Sequence, residues 1–210
     1  MVDSILQALT WLGHDGYCLK AAGKVIYFDP FDIGSNDNLA PADIVFITHE
    51  HYDHFSPDDL AIIATEKTVF VTGKAVAQKL SGKVAVMAPG DTADVDGMLV
   101  EAVPAYNINK QFHPKENNWL GFIVTVDGLR IYHAGDTDYI PEMKQFSVDI
   151  ALLPVSGTYV MTASEAVQAA LAINPQVAIP MHYDSIVGTS DDARTFSEAL
   201  SGKIRVEMLS

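Results

Sequence analysis

Residues 43–55 read DIVFITHEHYDHF. An apolar run ends at Thr48, and the next six residues hold His49, His51, Asp53 and His54. Imidazole and carboxylate together suit zinc, manganese, iron or nickel. The spacing has a geometric use. While the chain stays extended, His49 and His51 point the same way, because strand side chains alternate. A turn after them lets Asp53 and His54 face a second position, so one short segment can feed two metals. The zinc helix pattern His-Glu-x-x-His is excluded, because Asp53 stands where its second histidine belongs. Glu50 therefore reads as a solvent-facing or supporting residue rather than a base.

Other apolar runs also lead into coordinating or polar groups. LRIYHAG precedes Asp136, QVAIPM precedes His182, and LVEAVPAY precedes Asn107. Strand ends on one edge of a sheet can converge on a point, and ligands of α/β proteins gather outside the carboxyl ends of strands.

The elements that must position these groups are legible from patterning. Short β-branched runs recur, among them YCLKAA, KVIYFDP, TVFVT, LGFIVTV and DIALLPV, bounded by Gly, Pro, Asp or Asn. ILQALTWLG reads as one more run of this kind. Asp-Gly at 127–128 and at 96–97 signals hairpins. Helices are expected at 56–67, with Ser56 as N-cap and Pro57 at the first position, and at 73–82. A third, at 162–175, carries a Thr162–Glu165 capping box. A fourth, at 189–202, is expected to be capped by Ser190. Residues 107–119, NINKQFHPKENNW, are the least regular stretch and predict a loop over something functional. Strands followed by strand–helix alternation predict a mixed α/β architecture in layers, its sheet faces covered by helices or by a second sheet.

Composition bounds the rest. A chain of 210 residues with no polar linker is expected to form one domain over residues 1–210. No apolar run approaches the roughly 20 residues of a membrane span, and the N-terminus shows no signal-peptide pattern. The single cysteine, Cys18, allows no internal disulfide and fits a reducing cytoplasm, where it reads as a small packed residue. A net charge of −14 opposes binding to nucleic acid or anionic lipid.

THEHYDH resembles the His-x-His-x-Asp-His signature of the metallo-β-lactamase superfamily. YHAGDTD, 132–138, resembles its later Gly-Asp motif, and AIPMHYDSIVG, 178–188, its final histidine motif. The order agrees over nearly the whole chain. The opening WLGHDGYCLK…VIYFDPF resembles a branch of small metal-dependent hydrolases related to ascorbate-6-phosphate lactonases and, more distantly, to the phospholipase D that cleaves N-acylphosphatidylethanolamine. The resemblance implies an αββα sandwich, two mixed sheets flanked by helices. It implies His49 and His51 on a first metal, Asp53 and His54 on a second, Asp136 bridging, and His182 completing the second site. One position departs from the pattern: Asn107 stands where the superfamily supplies a third first-site histidine. Either His113, six residues on, replaces that ligand, or the first site is weak and partly filled. His14 matches a histidine of the small-hydrolase branch, and His133 precedes the Gly-Asp motif; both are candidates for orienting a ligand or moving a proton.

The implied function is hydrolysis of a small ester, lactone or related substrate by a metal-bound hydroxide at a dinuclear site, with zinc as the leading ion. Asp53 would hold the nucleophile, and water, His133 or His14 would protonate the leaving group. Tyr159, after the strand DIALLPV, is a packing residue or a pocket wall. The implied partner is a small molecule, with no nucleic acid, and a homo-oligomer is allowed. Phosphodiester cleavage and non-catalytic metal binding on the same fold are the alternatives.

Overall fold

The computed structural model describes residues 1–35 and 39–209. Two sheets face each other. The first runs β1 (Leu9–Gly13), β2 (Gly16–Ala21), β3 (Lys24–Phe28), β4 (Ile44–Ile47), β5 (Val69–Thr72) and β6 (Lys83–Val86), in that spatial order. Its first three strands are antiparallel and the rest join in parallel. The second sheet holds β7 (Thr92–Val95), β8 (Met98–Pro104), β9 (Leu120–Val126), β10 (Leu129–His133), β11 (Ile150–Pro154), β12 (Val177–Met181) and β13 (Arg205–Val206). It is antiparallel from β7 to β10 and parallel from β10 to β13. Both sheets are thus mixed, as the motif resemblance implies.

Strand periodicity explains the layers. Ile44 and Phe46 of β4 join the core between the sheets, where Phe46 meets Phe122 of β9 at 5.1 Å between ring centroids. Val45 and Ile47 point to the opposite face and pack with Leu60, Ile63 and Val76. Those three residues belong to α2 (Pro57–Ile63) and α3 (Lys74–Ala77), which cover the outer face of the first sheet. On the far side, α4 (Ala163–Ile173) packs on β11 and α5 (Ser190–Leu200) on β12. A first short helix, α1 (Val2–Ala8), lies against β1 and β2. The order is helix, sheet, sheet, helix.

Local chemistry sets the boundaries. Ser56 Oγ accepts from the Asp59 amide, and Pro57 opens α2. Thr162 and Glu165 close their capping box on α4, which ends at Asn174 in the left-handed region at φ 54°. Asp127 and Gly128 at φ 49° and 78°, and Asp96 and Gly97 at 52° and 85°, make the two expected tight hairpins.

Three local expectations are corrected. The helix expected over 56–67 stops at Ile63, because Thr65 and Thr68 fold into their own turn, with Thr68 Oγ1 accepting from the Thr65 amide at 2.8 Å. The last helix is capped by Thr189, not Ser190: the Asp192 carboxylate accepts from the Thr189 amide at 2.9 Å. ILQALTWLG divides between the end of α1 and β1.

Candidate metal centre

Three strand ends and one turn deliver the charged and imidazole groups to one end of the sandwich. β4 leads to His49, β10 to Asp136, β12 to His182, and the β1–β2 turn carries His14 and Asp15. His14, Asp29 and His182 hold positive φ, at 50°, 37° and 62°. Non-glycine residues in that region cost energy, and such strain gathers at functional sites. Gly135 lets β10 release Asp136 beside β4. Its φ is +59°, and a Cβ there would lie 2.9 Å from Thr48 Cγ2.

The side chains form two adjoining clusters. His49, His51, His113 and Asp136 each offer a ligand atom, all within 4.8 Å of one another; so do His14, Asp53, His54 and His182. Asp136 also groups with Asp15, His54 and His182, so it stands between the two. His113 Nε2 lies 3.0 Å from Asp136 Oδ2, and His54 Nε2 and His182 Nε2 lie 3.3 Å from Asp136 Oδ1.

A buried polar atom without a partner is costly. Here His54 Nε2, His113 Nε2, His182 Nε2 and Asp136 Oδ1 are all buried without a hydrogen bond; His54 and His182 face Asp136 Oδ1, and His113 faces Asp136 Oδ2 on the other side of the carboxylate. Imidazole nitrogens and a carboxylate converging in this way fit divalent transition metals.

The far nitrogens are held. His54 Nδ1 donates to Asp29 Oδ2 at 2.8 Å. Thr48 Oγ1 donates to the same oxygen at 2.6 Å and so accepts from His49 Nδ1 at 3.0 Å. Asp29 Oδ1 takes the Thr48 amide at 2.8 Å. One buried aspartate thereby fixes two histidines; the Nε2 of His54 is left without a partner, and that of His49 lies 3.0 Å from His51 Nδ1. Ser156 Oγ does the same for His182 Nδ1 at 2.8 Å.

Asn107 and His113 have separate jobs. Asn107 Nδ2 donates to Asp138 Oδ1 and to the Tyr159 carbonyl, at 3.1 and 3.0 Å. Its Oδ1 accepts from the His113 amide at 3.0 Å and from His113 Nδ1 at 3.2 Å. The amide is fully engaged, and it turns the His113 ring so that Nε2 faces Asp136. His113, 1% exposed, is a wall of the site rather than a free loop residue.

His14 Nε2 lies 3.2 Å from Asp53 Oδ2. His133 is elsewhere: its Nε2 donates to the Asp15 carbonyl at 2.8 Å, its ring stacks on Phe28, and it belongs to neither cluster. Glu50 faces away, toward a hollow of about 410 Å³ lined also by Lys74, Gln78 and Trp119. That larger hollow reaches His49 but not Asp53, His113 or Asp136. A smaller one, about 240 Å³, is floored by His51, Asp53, His113 and Asp136 and walled by Tyr52, Phe112, Tyr159 and Ile186. It reaches members of both clusters.

Electrostatics pull these groups apart. Burial drives His49 well below its usual range and also lowers His14 and His51. Burial opposes charge on His182 too, but the Asp136 and Asp15 carboxylates outweigh it and push its pKa up to about 9. His54 is raised well above normal against its own burial by Asp136 and Asp29. Burial would raise Asp136, yet the charges of His182 and His54 hold it well below the carboxylate range. Burial likewise would raise Asp53, but the hydrogen bond from His14 and the charge of His54 lower it. Asp15, without a hydrogen bond on either oxygen and with His54 Nδ1 3.9 Å from its Oδ2, is raised well above its usual range by burial.

Asp15, Asp29, Thr48 and Ser156 carry parts of this arrangement that sequence reading missed. Their signal was adjacency to the motifs: Thr48 precedes His49, and Asp29 ends the run KVIYF.

A family model described as a beta-lactamase superfamily domain matches residues 8–182. A metal-dependent hydrolase from Methanoculleus marisnigri is 35% identical, the match covering 96% of this chain and 93% of the relative. One from Pyrococcus abyssi is 32% identical over 95% of this chain and 94% of its own length. A solved metal-dependent hydrolase structure from Parabacteroides distasonis superposes with a TM-score of 0.85 at 34% identity, covering 96% of this chain and 93% of that one.

Proposed function

The chain belongs to the beta-lactamase superfamily domain family and is a metal-dependent hydrolase of the metallo-β-lactamase fold; from that premise we propose that it cleaves a small ester, lactone or related substrate at a dinuclear centre. His49, His51 and His113 would hold the first ion. Asp53, His54 and His182 would hold the second, with Asp136 between them. Zinc suits this donor set best, and manganese, iron and nickel share it. The observation that supports the reading is the set of buried, unpartnered atoms on either side of Asp136, His113 Nε2 beside its Oδ2 and His54 and His182 Nε2 beside its Oδ1.

Bound at these residues, divalent ions would supply Lewis acidity and an activated water at neutral pH. The chain's own groups do the rest. Asp53, which lines the smaller hollow and whose carboxyl is held below its usual range, would accept a hydrogen bond from the attacking water. His14 Nε2 would donate to that carboxylate and hold it in place. His133 is assigned a supporting part, bracing the turn that bears His14 through the Asp15 carbonyl. The chain would work as one domain over residues 1–210, on a small molecule, in the cytoplasm. No helix among the described residues is long and apolar enough to cross a membrane.

The test is elemental analysis of the purified protein coupled to an ester and lactone screen. The expectation is about two metal ions per chain. Asp136→Ala should lose most of that metal and the hydrolysis with it. Full activity in Asp136→Ala would overturn the dinuclear reading.

A further inference from the structure

Most aromatic side chains of this protein are buried or half-buried. Among the described residues, the exposed exceptions are Tyr52 at 66% and Phe112 at 48%. Both line the smaller hollow above the metal centre. They are not loose ends. Phe112 meets Tyr159 edge-on, with centroids 4.7 Å apart at 86°. Tyr52 meets Phe31 in the same manner at 5.8 Å and 79°. Ile186, 37% exposed, completes the wall. Four separate segments therefore each raise one large apolar group around one opening.

Charge in the hollow is one-sided. Of its lining residues, Asp53 and Asp136 carry formal negative charge and both belong to the centre; no Lys or Arg lines it. Lys110, on the neighbouring loop, is engaged by Asp138 Oδ1 at 2.6 Å. Among the described residues, no Lys or Arg side chain lines the hollow to meet a substrate carboxylate or phosphate. Grouped apolar exposure of this kind marks a ligand surface, and an apolar wall with few polar groups is how small-molecule pockets select.

We propose that Tyr52, Phe112, Tyr159 and Ile186 form a specificity subsite for a neutral apolar group, aromatic by preference, beside the scissile bond. This rests on the hydrolase reading above and names its substrate class: uncharged esters or lactones bearing an aryl or similar apolar substituent, as against phosphodiesters or acidic acyl groups. Phe112 adjoins His113, so one short loop supplies both a proposed metal ligand and the subsite wall.

The test uses the full-length, metal-loaded protein and has two arms. In the first, kcat/KM is measured for ethyl phenylacetate, ethyl acetate and monoethyl succinate. Phenylacetate should be preferred over acetate by about tenfold or more, and succinate should be the poorest. Phe112→Ala should bring the phenylacetate-to-acetate ratio toward one, with its metal content checked as equal to the parent. In the second arm, calorimetry compares phenylacetamide with acetamide, which need no turnover; the aryl amide should bind more tightly and lose that advantage in Phe112→Ala. Selective amide binding without ester turnover keeps the subsite and sinks the ester reading. Equal binding of the two amides, a ratio unmoved by Phe112→Ala at equal metal content, or succinate turned over as well as phenylacetate overturns the proposal.

Discussion

Asn107 shows how one side chain can act on a metal without touching it. Its Oδ1 accepts from both the backbone amide and Nδ1 of His113. With Nδ1 protonated, the His113 lone pair lies on Nε2, 3.0 Å from Asp136. Asn107→Ala should therefore weaken the first metal by about 10–100-fold while sparing the second. Competitive chelator titration of the two ions checks this, and equal loss of both would contradict it. The same pair marks a limit of sequence reading. The family resemblance exposed the departure at Asn107 and left two readings, His113 as the replacement ligand or a weak, partly filled first site. Nothing in the spacing tells which ring turns inward; that depends on Asp138 and the Tyr159 carbonyl, 31 and 52 residues away. Asp29 was harder still. Its part comes from accepting three bonds at once, from the Thr48 amide, Thr48 Oγ1 and His54 Nδ1, and a lone Asp-Pro after a strand reads as an ordinary turn.

Elements carry the centre through their ends, where small errors move ligands. Gly135 joins β10 to Asp136 at φ +59°, packed so that an added Cβ would lie 2.9 Å from Thr48 and 3.1 Å from the Leu120 carbonyl. Gly135→Ala should cost about 1–3 kcal/mol of stability through backbone strain alone. It should also push Thr48 off Asp29 and lower metal affinity. Denaturation midpoints with and without metal measure the two effects separately. Ser56 offers a milder case. It caps α2 by accepting from the Asp59 amide, and Ser56→Ala should destabilise by about 1 kcal/mol. That helix start also fixes the turn through Asp53 and His54, and Asp59 binds the amides of Asp32 and Ile33 at 2.9 and 3.0 Å. A stability loss with unchanged metal content is expected, because His54 keeps its bond to Asp29. Cap, box and hairpin signals were legible because they are local. The early stop of α2 at Ile63 was not, since it depends on Thr68 folding back on Thr65 and on the Ala42 carbonyl, 26 residues away.

The molecule as a whole concentrates burial, charge and strain at one end of the sandwich, and metal removal should expose that tension. Without ions, His182 holds its proton with a pKa of about 9, against 6.5 for a free imidazole. A group raised on folding stabilises the fold fully below its unfolded value, and that contribution is lost as pH rises through the folded value. His54 is raised in the same direction. Asp15 adds to the trend, because a buried carboxylate raised well above normal makes the fold costlier as it ionises. The metal-free protein should therefore lose stability steadily from about pH 6.5 to about pH 9. The loaded protein should not follow, since ions on the His54 and His182 lone pairs leave nothing there to titrate. Thermal melts of chelated and reloaded protein across this range test the difference. Calorimetry in buffers of different ionisation enthalpy should show proton release on metal uptake at neutral pH, shrinking above pH 9 as His182 arrives already neutral. Parallel melting curves for the two forms would mean that His54 and His182 do not face the ions. The two-cluster assignment would then fail at its second site while leaving His49, His51 and His113 untouched.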